Sequence, residues 1–371
     1  MTTKWIILFC IVLLFLYSPL IYLGVKIGER IEYIQSSNEL NDPTNDTTTG
    51  SNSDDNNELS ESDNSIVIRN SDVLYSENLD TLKKVNPSIE GSFVVKEGVK
   101  VIDIMAFAGC NRLTTIKLPL SLKRILKQAF VDCSNLEKIE LPDSLQYIGA
   151  FAFEECKKIS QISIPKSTIS INDNPFIGCN IKIIVPESHK CFLIKDSYLI
   201  DKRQNKIISY LGAQTIIIIP RNIRAIGAFS FAKNKRITTI NMGKSNVEEI
   251  GNCAFECCSN VNSIIFPDSL KKIDVLNPFV DIHYNIDSEI KINANYAVDR
   301  NGFLFDTRNR TIISYLGISP NINIDFTYDS IGGYAFAKCE FIKNVKNSAK
   351  LPPEDLFGCS EIIEKFKQNN Q

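Results

Sequence analysis

The sequence predicts a leucine-rich-repeat solenoid, with a β-strand and a short helix or 3₁₀ segment in each coil of about 23 residues. One pattern of apolar residues occurs three times in succession, starting at Ile102, Ile125 and Ile148, which are 23 residues apart. Repeats of about 20–29 residues with Leu or Ile at fixed offsets are typical of solenoids in which each coil buries the apolar face of its neighbour. Such a stack leaves a long exposed surface, so the repeat favours binding over catalysis.

The strand of the first complete coil is predicted from Leu113 to Leu118, where apolar and polar residues alternate. This alternation is typical of a half-buried strand, so Leu113, Ile116 and Leu118 are predicted to point inward. Pro119 should end the strand, because proline has no N–H group to donate. Residues 102–110 are predicted to form the short helix or 3₁₀ segment of the coil.

One phenylalanine and one cysteine recur in each coil. The phenylalanines are predicted to stack in a column: Phe107, Phe130, Phe153, Phe176, Phe231, Phe255 and Phe336. The cysteines are predicted to be buried, reduced thiols: Cys110, Cys133, Cys156, Cys179, Cys258 and Cys339. Single cysteines at this spacing lack the paired pattern of a zinc site, so no metal site is predicted. A disulfide or a metal at the cluster of Cys253, Cys257 and Cys258 is the alternative.

The chain is predicted to contain a signal anchor at residues 1–30, a stalk at 31–64 and the folded solenoid at 65–371. Trp5–Val25 is 21 residues without a charge, and a helix of this length spans about 31 Å, enough to cross a bilayer. A cleaved signal peptide is the alternative. Residues 36–64 contain eight acidic residues and no Lys or Arg, which predicts a disordered segment.

Two strand–turn–strand segments interrupt the coils at residues 197–212 and 302–317, which are 105 residues apart. They are predicted to be β-hairpin inserts that extend over about residues 187–222 and 284–328. A coil follows each hairpin, so the chain is predicted to be a repeat of repeats.

The repeated phrase Ile-x3-Ala-Phe-x2-Cys-x2-Leu-x2-Ile-x-Leu-Pro-x-Ser-Leu resembles the BspA-like leucine-rich-repeat family. The hairpin from Asn301 to Tyr315 also looks like an insert common in those proteins, and the resemblance covers roughly Phe93 to Cys359. Members are typically surface-exposed or secreted proteins implicated in adhesion to host proteins or other cells. The resemblance implies such a function here, and it implies no catalytic motif.

The sequence predicts no enzyme, no cofactor and no nucleic-acid partner. Its two histidines, His189 and His283, lie in irregular segments beside the hairpins, and no phosphate-binding loop or nucleophile motif occurs. The net charge is −2, and no basic run with interleaved aromatic residues is present. The acidic pair Glu154 and Glu155 is expected to be solvated.

A candidate ligand face is predicted from the outward positions of the strands, which vary from coil to coil while the inward positions repeat. These positions are expected to form one continuous ladder: Thr115, Lys117, Lys138, Glu140, Gln161, Ser163, Thr239, Asn241, Ser263 and Ile265. The predicted function is that of a single-pass membrane protein whose extracellular or lumenal solenoid binds a protein or glycan. The alternative is a membrane-tethered intracellular scaffold.

Overall fold

The computed structural model describes residues 69–70, 72–274, 276–349 and 351. The predicted signal anchor (1–30), the predicted stalk (31–64) and the last part of the predicted repeat domain lie outside the described residues. In the part that is described, no helix has the length and the apolar character needed to cross a bilayer.

The described residues form short strands that are joined by turns, and they contain no helix. In chain order the strands are β1 (Arg69–Asn70), β2 (Val73–Tyr75), β3 (Thr81–Val85), β4 (Gly91–Val94), β5 (Val101–Ile102), β6 (Leu113–Lys117), β7 (Arg124–Ile125), β8 (Lys138–Ile139), β9 (Tyr147–Ile148), β10 (Gln161–Ser163), β11 (Ser170–Ile171), β12 (Lys182–Ile184), β13 (Phe192–Lys195), β14 (Tyr198–Asp201), β15 (Lys206–Tyr210), β16 (Ile216–Ile218), β17 (Ala225–Ile226), β18 (Thr239–Asn241), β19 (Glu249–Ile250), β20 (Ser263–Ile265), β21 (Lys272–Ile273), β22 (Ile290–Lys291), β23 (Tyr296–Val298), β24 (Phe303–Asp306), β25 (Thr311–Tyr315), β26 (Asn321–Ile324), β27 (Ser330–Ile331) and β28 (Asn344–Asn347).

Parallel pairing between equivalent strands of successive coils builds a leucine-rich-repeat solenoid. In the sheet that contains β5, β7, β9 and β11, Ile102 pairs with Ile125 and Ile125 pairs with Ile148. On a second sheet, Ile116 of β6 pairs with Ile139 of β8. These residues are buried, and their register confirms the 23-residue period that the sequence predicts.

Turns connect the strands of each coil where the sequence analysis placed a short helix or 3₁₀ segment. Alternate amides in the first complete coil bond to the carbonyl oxygen three residues earlier: Ala106, Ala108 and Cys110. The intervening amides bond to carbonyl oxygens of the next coil: Met105, Phe107 and Gly109. A 3₁₀ helix needs consecutive i→i+3 bonds along one segment. Because every second amide is bonded to the neighbouring coil, three successive β-turns form instead.

The phenylalanine column is present within the first two stretches of coils, and in the third Phe336 lies 5.9 Å from Tyr315 of the second hairpin. The ring centroids of Phe107 and Phe130 are 4.9 Å apart, and those of Phe130 and Phe153 are 5.2 Å apart. After the first hairpin, Phe231 and Phe255 stack at 4.8 Å. Stacked aromatic rings contribute about 0.5–1.5 kcal/mol beyond the area that they bury, so the column stabilises the contact between coils.

The ladder cysteines are thiols outside any disulfide, and all but the half-buried Cys179 are buried, as predicted. Each thiol of the regular coils contacts the main chain of the coil before it. Cys133 Sγ lies 3.1 Å from the carbonyl oxygen of Phe107, and Cys156 Sγ lies 3.1 Å from that of Phe130. The cysteines therefore satisfy carbonyl oxygens at the turn that carries the phenylalanine.

Each hairpin forms an internal layer that contributes to two hydrophobic cores. In the antiparallel pair of β14 and β15, Leu199 and Ile208 pack with the coils that precede the hairpin. Tyr198, Ile200 and Ile207 pack with the coils that follow it. Successive strand residues point to opposite faces, so two apolar faces place the hairpin between two cores.

The same arrangement occurs at the second hairpin, where β24 and β25 pair antiparallel. Leu304 and Ile313 belong to the core before it, whereas Phe303, Ile312 and Tyr315 belong to the core after it. Both hairpins continue the solenoid, because β15 pairs in parallel with β17 and β25 pairs in parallel with β27.

A third hairpin, β2 with β3, precedes the first coil and was not recognised in the sequence. Its register shifts between Leu74 and Tyr75, and the other two hairpins shift at the corresponding position of β14 and β24. β3 pairs in parallel with β5, so this hairpin also leads into a run of coils. The two strands of this hairpin have the same spacing in the sequence as those of the later hairpins. Ser76 stands where the later hairpins have an aspartate, so the motif is harder to recognise.

An asparagine links the coils on either side of each later hairpin. Asn174 Nδ2 donates to the carbonyl oxygen of Phe229 at 2.9 Å, and its Oδ1 accepts from the N–H of Phe176 at 3.1 Å. Asn277 repeats the first contact at the second hairpin, with the carbonyl oxygen of Tyr334 at 3.0 Å. The turns of the solenoid are therefore hydrogen-bonded across the point where a hairpin enters the chain.

Glu154 and Glu155 are not the solvated pair that the sequence analysis expected. Glu154 is only 2% exposed, and Lys233 Nζ lies 3.0 Å from its Oε1 and 2.6 Å from Oε1 of Glu155. Gly178 leaves room for the contact, since a Cβ atom there would lie 2.6 Å from Glu155 Oε1. A charge from beyond the hairpin explains how these carboxylates are accommodated away from water.

Candidate ligand-binding face

The candidate ligand face lies on β6, β8, β10, β18 and β20, where strand pairing sets the position of each side chain. Thr115 is opposite Lys138 in one sheet, and Thr239 is opposite Ser263 in another. Outward residues are thus in register between neighbouring coils.

All ten predicted positions lie on the solvent side, nine of them within strands and Glu140 directly after β8. The exposed ones are Lys117, Lys138, Glu140, Gln161, Ser163 and Ile265. The half-buried ones are Thr115, Thr239, Asn241 and Ser263. Their binding of a ligand remains a prediction.

The expected single ladder is instead divided among separate sheets. β6 and β8 belong to one sheet with β4, β10 pairs with β12, and β18 and β20 belong to a sheet with β16. The first hairpin lies in the chain between β12 and β16 and leads into the next sheet. The backbone hydrogen bonding along the face is therefore interrupted at these points.

Three isoleucines point outward on this face, of which Ile265 was predicted and Ile216 and Ile218 were not. Ile216 and Ile218 of β16 are 57% and 64% exposed, and Ile265 is 45% exposed. Ile218 is opposite Asn241, which is opposite Ile265. Four consecutive isoleucines, residues 216–219, conceal which ones point outward until the pairing of the strand is known. The middle of the face thus combines exposed isoleucines with Thr239, Asn241 and Ser263, whereas its first coils are polar and charged.

Amides dominate the face near the end of the described chain. β26 and β28 pair in parallel, with Asn321 opposite Asn344 and Asn323 opposite Lys346. Asn344 Nδ2 donates to Asn321 Oδ1 at 2.6 Å. These positions correspond to the outward positions of the earlier strands, so chemistry changes along the solenoid.

His189 has a structural environment. It is 1% exposed, and its Nδ1 accepts from the N–H groups of Cys191 and Phe192 at 3.1 and 3.2 Å. Its Nε2 therefore carries the proton and donates to the carbonyl oxygen of Pro165 at 3.0 Å. Burial lowers the pKa of His189. With both nitrogens occupied, the ring holds the chain at the start of the first hairpin.

His283 lies in the segment before the second hairpin and has other contacts than His189. Its Nδ1 is 3.1 Å from the carbonyl oxygen of Tyr315, and its Nε2 is 3.8 Å from Cys339 Sγ. Burial lowers the pKa of His283, and the nearby Asp281 carboxyl opposes that shift. Among the residues that the structure describes, no group of three or more potential metal ligands occurs. The cysteines of the cluster Cys253, Cys257 and Cys258 are not joined by disulfides.

Both later hairpins contain a buried aspartate that holds an arginine two residues on. Arg308 donates to Asp306 through two nitrogens, at 2.9 and 2.6 Å, and Arg203 does the same to Asp201 at 3.0 and 2.6 Å. Burial alone would raise the pKa of Asp306, but the hydrogen bonds from Arg308 outweigh it and lower that pKa. The Asp-x-Arg spacing that both hairpins share is the signal of this pair in the sequence.

The family model of the BspA-type leucine-rich-repeat region matches residues 86–198, 204–282 and 315–370, in six copies. These ranges include most of the described coils and parts of the hairpins. The chain belongs to the BspA-type leucine-rich-repeat family. Matching residues 86–198 include the three regular coils on which the resemblance was recognised.

Solved structures similar to this BspA-type chain come from bacteria. The pneumococcal vaccine antigen PcpA is 17% identical, covering 82% of this chain and 96% of its own, with a TM-score of 0.40. A leucine-rich-repeat protein from Eubacterium ventriosum is 17% identical, covering 78% and 75%, with a TM-score of 0.36. A leucine-rich cell surface protein from Faecalibacterium prausnitzii is 16% identical, covering 80% and 93%, with a TM-score of 0.34. The comparison with curated proteins gave no match.

Proposed function

We propose that this protein is a non-catalytic surface protein whose solenoid face binds a protein or glycan partner. The observation that carries the proposal is the contrast between the two sides of each strand. Ile116 and Ile139 repeat on the buried side, whereas their outward neighbours change from Lys117 to Glu140. Packing requires the buried residues but not the outward ones, so the outward chemistry is free to serve recognition.

A protein or glycan fits this face better than a small molecule does. The outward side chains of β6, β8 and β10 are presented on a sheet surface rather than in a deep cleft, and deep, mostly apolar clefts are what small ligands require. Membership of the BspA-type family supports a role in interaction or adhesion.

Replacing Lys117, Lys138 and Glu140 together tests the face. We expect attachment to host cells or matrix to weaken while thermal stability is nearly unchanged, because exposed substitutions usually change stability by about 0.5 kcal/mol or less. A matched control replaces Arg221, Lys235 and Asp268. These residues carry the same charges and are also exposed, but they lie in turns outside the strands. Unaltered attachment of the face variant would place the binding site elsewhere.

We further propose that residues 1–30 anchor the protein in a membrane without cleavage, with residues 31–64 as a stalk and the solenoid outside the cell. The uncharged run Trp5–Val25 supports this topology. Sequencing of the mature amino terminus and protease treatment of intact cells test it. A start between residues 24 and 40 would show a secreted product. Protection of the solenoid from protease would favour the alternative, a tethered intracellular scaffold.

A further inference from the structure

A small cleft lies between the second hairpin and the strand that follows it. It has a volume of about 210 Å³, and Arg300, Asn301, Gly317 and Asn321 are among its lining residues. This volume is below the range of about 300–1,000 Å³ that is typical for drug-sized ligands, so the cleft suits a single ring with small substituents. It is open to solvent at Arg300 and Asn321, which are exposed.

Hydrogen bonds orient the three asparagine side chains of the cleft. In each of them one polar atom of the amide makes the bond, and the other is left to bind a ligand. Asn285 Nδ2 donates to Asp287 and Asn301 Nδ2 donates to Asp299, at 2.6 and 2.9 Å. Their Oδ1 atoms thus remain as acceptors. Asn321 uses Oδ1 to accept from Asn344, so its Nδ2 remains as a donor.

Arg300 supplies the positive charge of the cleft. Within the described residues it has no ion-pair partner, in contrast to Arg308 and Arg310, which pair with Asp306 and Asp329. A guanidinium group recognises a carboxylate through two parallel hydrogen bonds. Ile286, Ile318 and Ile322 provide an apolar part of the lining, against which the C–H face of a ring can lie.

The corresponding place beside the first hairpin has different chemistry. There the sequence has Lys195 for Arg300, Asp196 for Asn301 and Ile216 for Asn321. Asp196 has a charged carboxylate in place of the neutral amide acceptor of Asn301. Ile216 has no polar atom in place of the amide donor of Asn321. Of the two places, only the cleft beside the second hairpin combines a guanidinium group with the three amides.

We propose that this cleft is a glycan subsite for an acidic sugar, whose carboxylate binds Arg300. The sugar hydroxyls donate to the Oδ1 atoms of Asn285 and Asn301, and Asn321 Nδ2 donates to a ring substituent. The proposal rests on the proposed binding function and specifies one ligand class for it, although its residues differ from those replaced in the test of the sheet face.

Nuclear magnetic resonance titration of the full chain with methyl glucuronide and with methyl glucoside tests the proposal. Free glutamate serves as a carboxylate without a sugar ring. We expect millimolar binding of the glucuronide, at least about tenfold weaker binding of the glucoside, and no competition by glutamate, because the charged group contributes the bidentate bond and the ring contributes the rest.

Arg300→Gln should remove the preference for the glucuronide, and Asn321→Asp should weaken its binding by repulsion while keeping the acceptor for Asn344. Lys195→Gln at the first hairpin is the matched control and should bind as the unaltered protein does. Equal binding of both glycosides, competition by glutamate, a preference retained by Arg300→Gln or no binding of any probe would each overturn the proposal. In those cases attachment through the sheet face could still be measured, so the two failures are distinguishable.

Discussion

At the scale of single residues, the two histidines show how burial converts a side chain into a pH-dependent structural element. Burial lowers the pKa of both His189 and His283 below the ordinary value of 6.5. The neutral ring is therefore favoured in the folded protein, where His189 Nδ1 accepts two backbone hydrogen bonds. Protonation of Nδ1 would break both hydrogen bonds, because a protonated nitrogen cannot accept.

We expect the solenoid to lose stability as the pH falls from about 7 to about 5. Well above pH 6.5 the rings are neutral in both the folded and the unfolded state, and the contribution is complete. As the pH falls past 6.5 the unfolded chain takes up protons first, so the stabilisation decreases until the pH has passed through the lowered pKa values of the folded protein. Each histidine contributes a slope of at most about 1.4 kcal/mol per pH unit. Denaturant unfolding at a series of pH values measures it. A His189→Asn, His283→Asn double variant should show a flatter profile, and an unchanged slope would contradict this account.

At the scale of elements, the asparagine before each Pro-Phe pair joins coils that a hairpin separates in the chain. Asn174 satisfies both the carbonyl oxygen of Phe229 and the N–H of Phe176 in a buried place. Leaving buried polar groups unsatisfied costs about 1–3 kcal/mol. Asn174 therefore provides one of the contacts that join the turns across the hairpin, besides the ion pairs of Lys233 with Glu154 and Glu155.

Asn174→Ala should destabilise the protein by about 1–3 kcal/mol and speed hydrogen exchange at Phe176. Asn135→Ala is the control, since Asn135 also donates to a backbone oxygen, that of Asn111 at 2.7 Å, but between regular coils near the surface. We expect the control to cost less than about 1 kcal/mol. Equal losses in the two variants would show that the position beside the hairpin has no special weight.

The sequence predicted the elements whose determinants are local. The alternation of apolar and polar residues around Ile116 predicted which side chains point inward and that Lys117 faces solvent. The repeat of this pattern predicted the 23-residue register between Ile116 and Ile139. The role of the hairpins could not be predicted in this way, because both faces of β14 are apolar and only tertiary pairing assigns Leu199 and Ile200 to different cores. Ile216 was missed for the same reason, as its outward direction depends on pairing with Thr239.

At the scale of the whole described chain, the hairpins divide the hydrophobic interior into three clusters. The first contains Phe130, the second contains Phe255 and the third contains Phe336. Tyr210 stacks on Phe231 at 5.3 Å, so the hairpin supplies the ring on which the next stretch of the column begins. Contacts in a solenoid are mainly between neighbours, and communication between clusters passes through the hairpin layers and the asparagine bonds.

This division predicts that a core defect stays within its own cluster. Phe130→Ala and Phe336→Ala should each cost about 3–5 kcal/mol locally, because each removes a fully buried ring. Hydrogen exchange followed by mass spectrometry should show faster exchange in β7 and β9 for the first variant and in β25 and β27 for the second. The strands of the other end should exchange as in the unaltered protein, since nearest-neighbour coupling decays along a repeat array. Uniform acceleration along the whole chain in both variants would mean that the hairpins transmit the defect and that the three clusters unfold as one cooperative core.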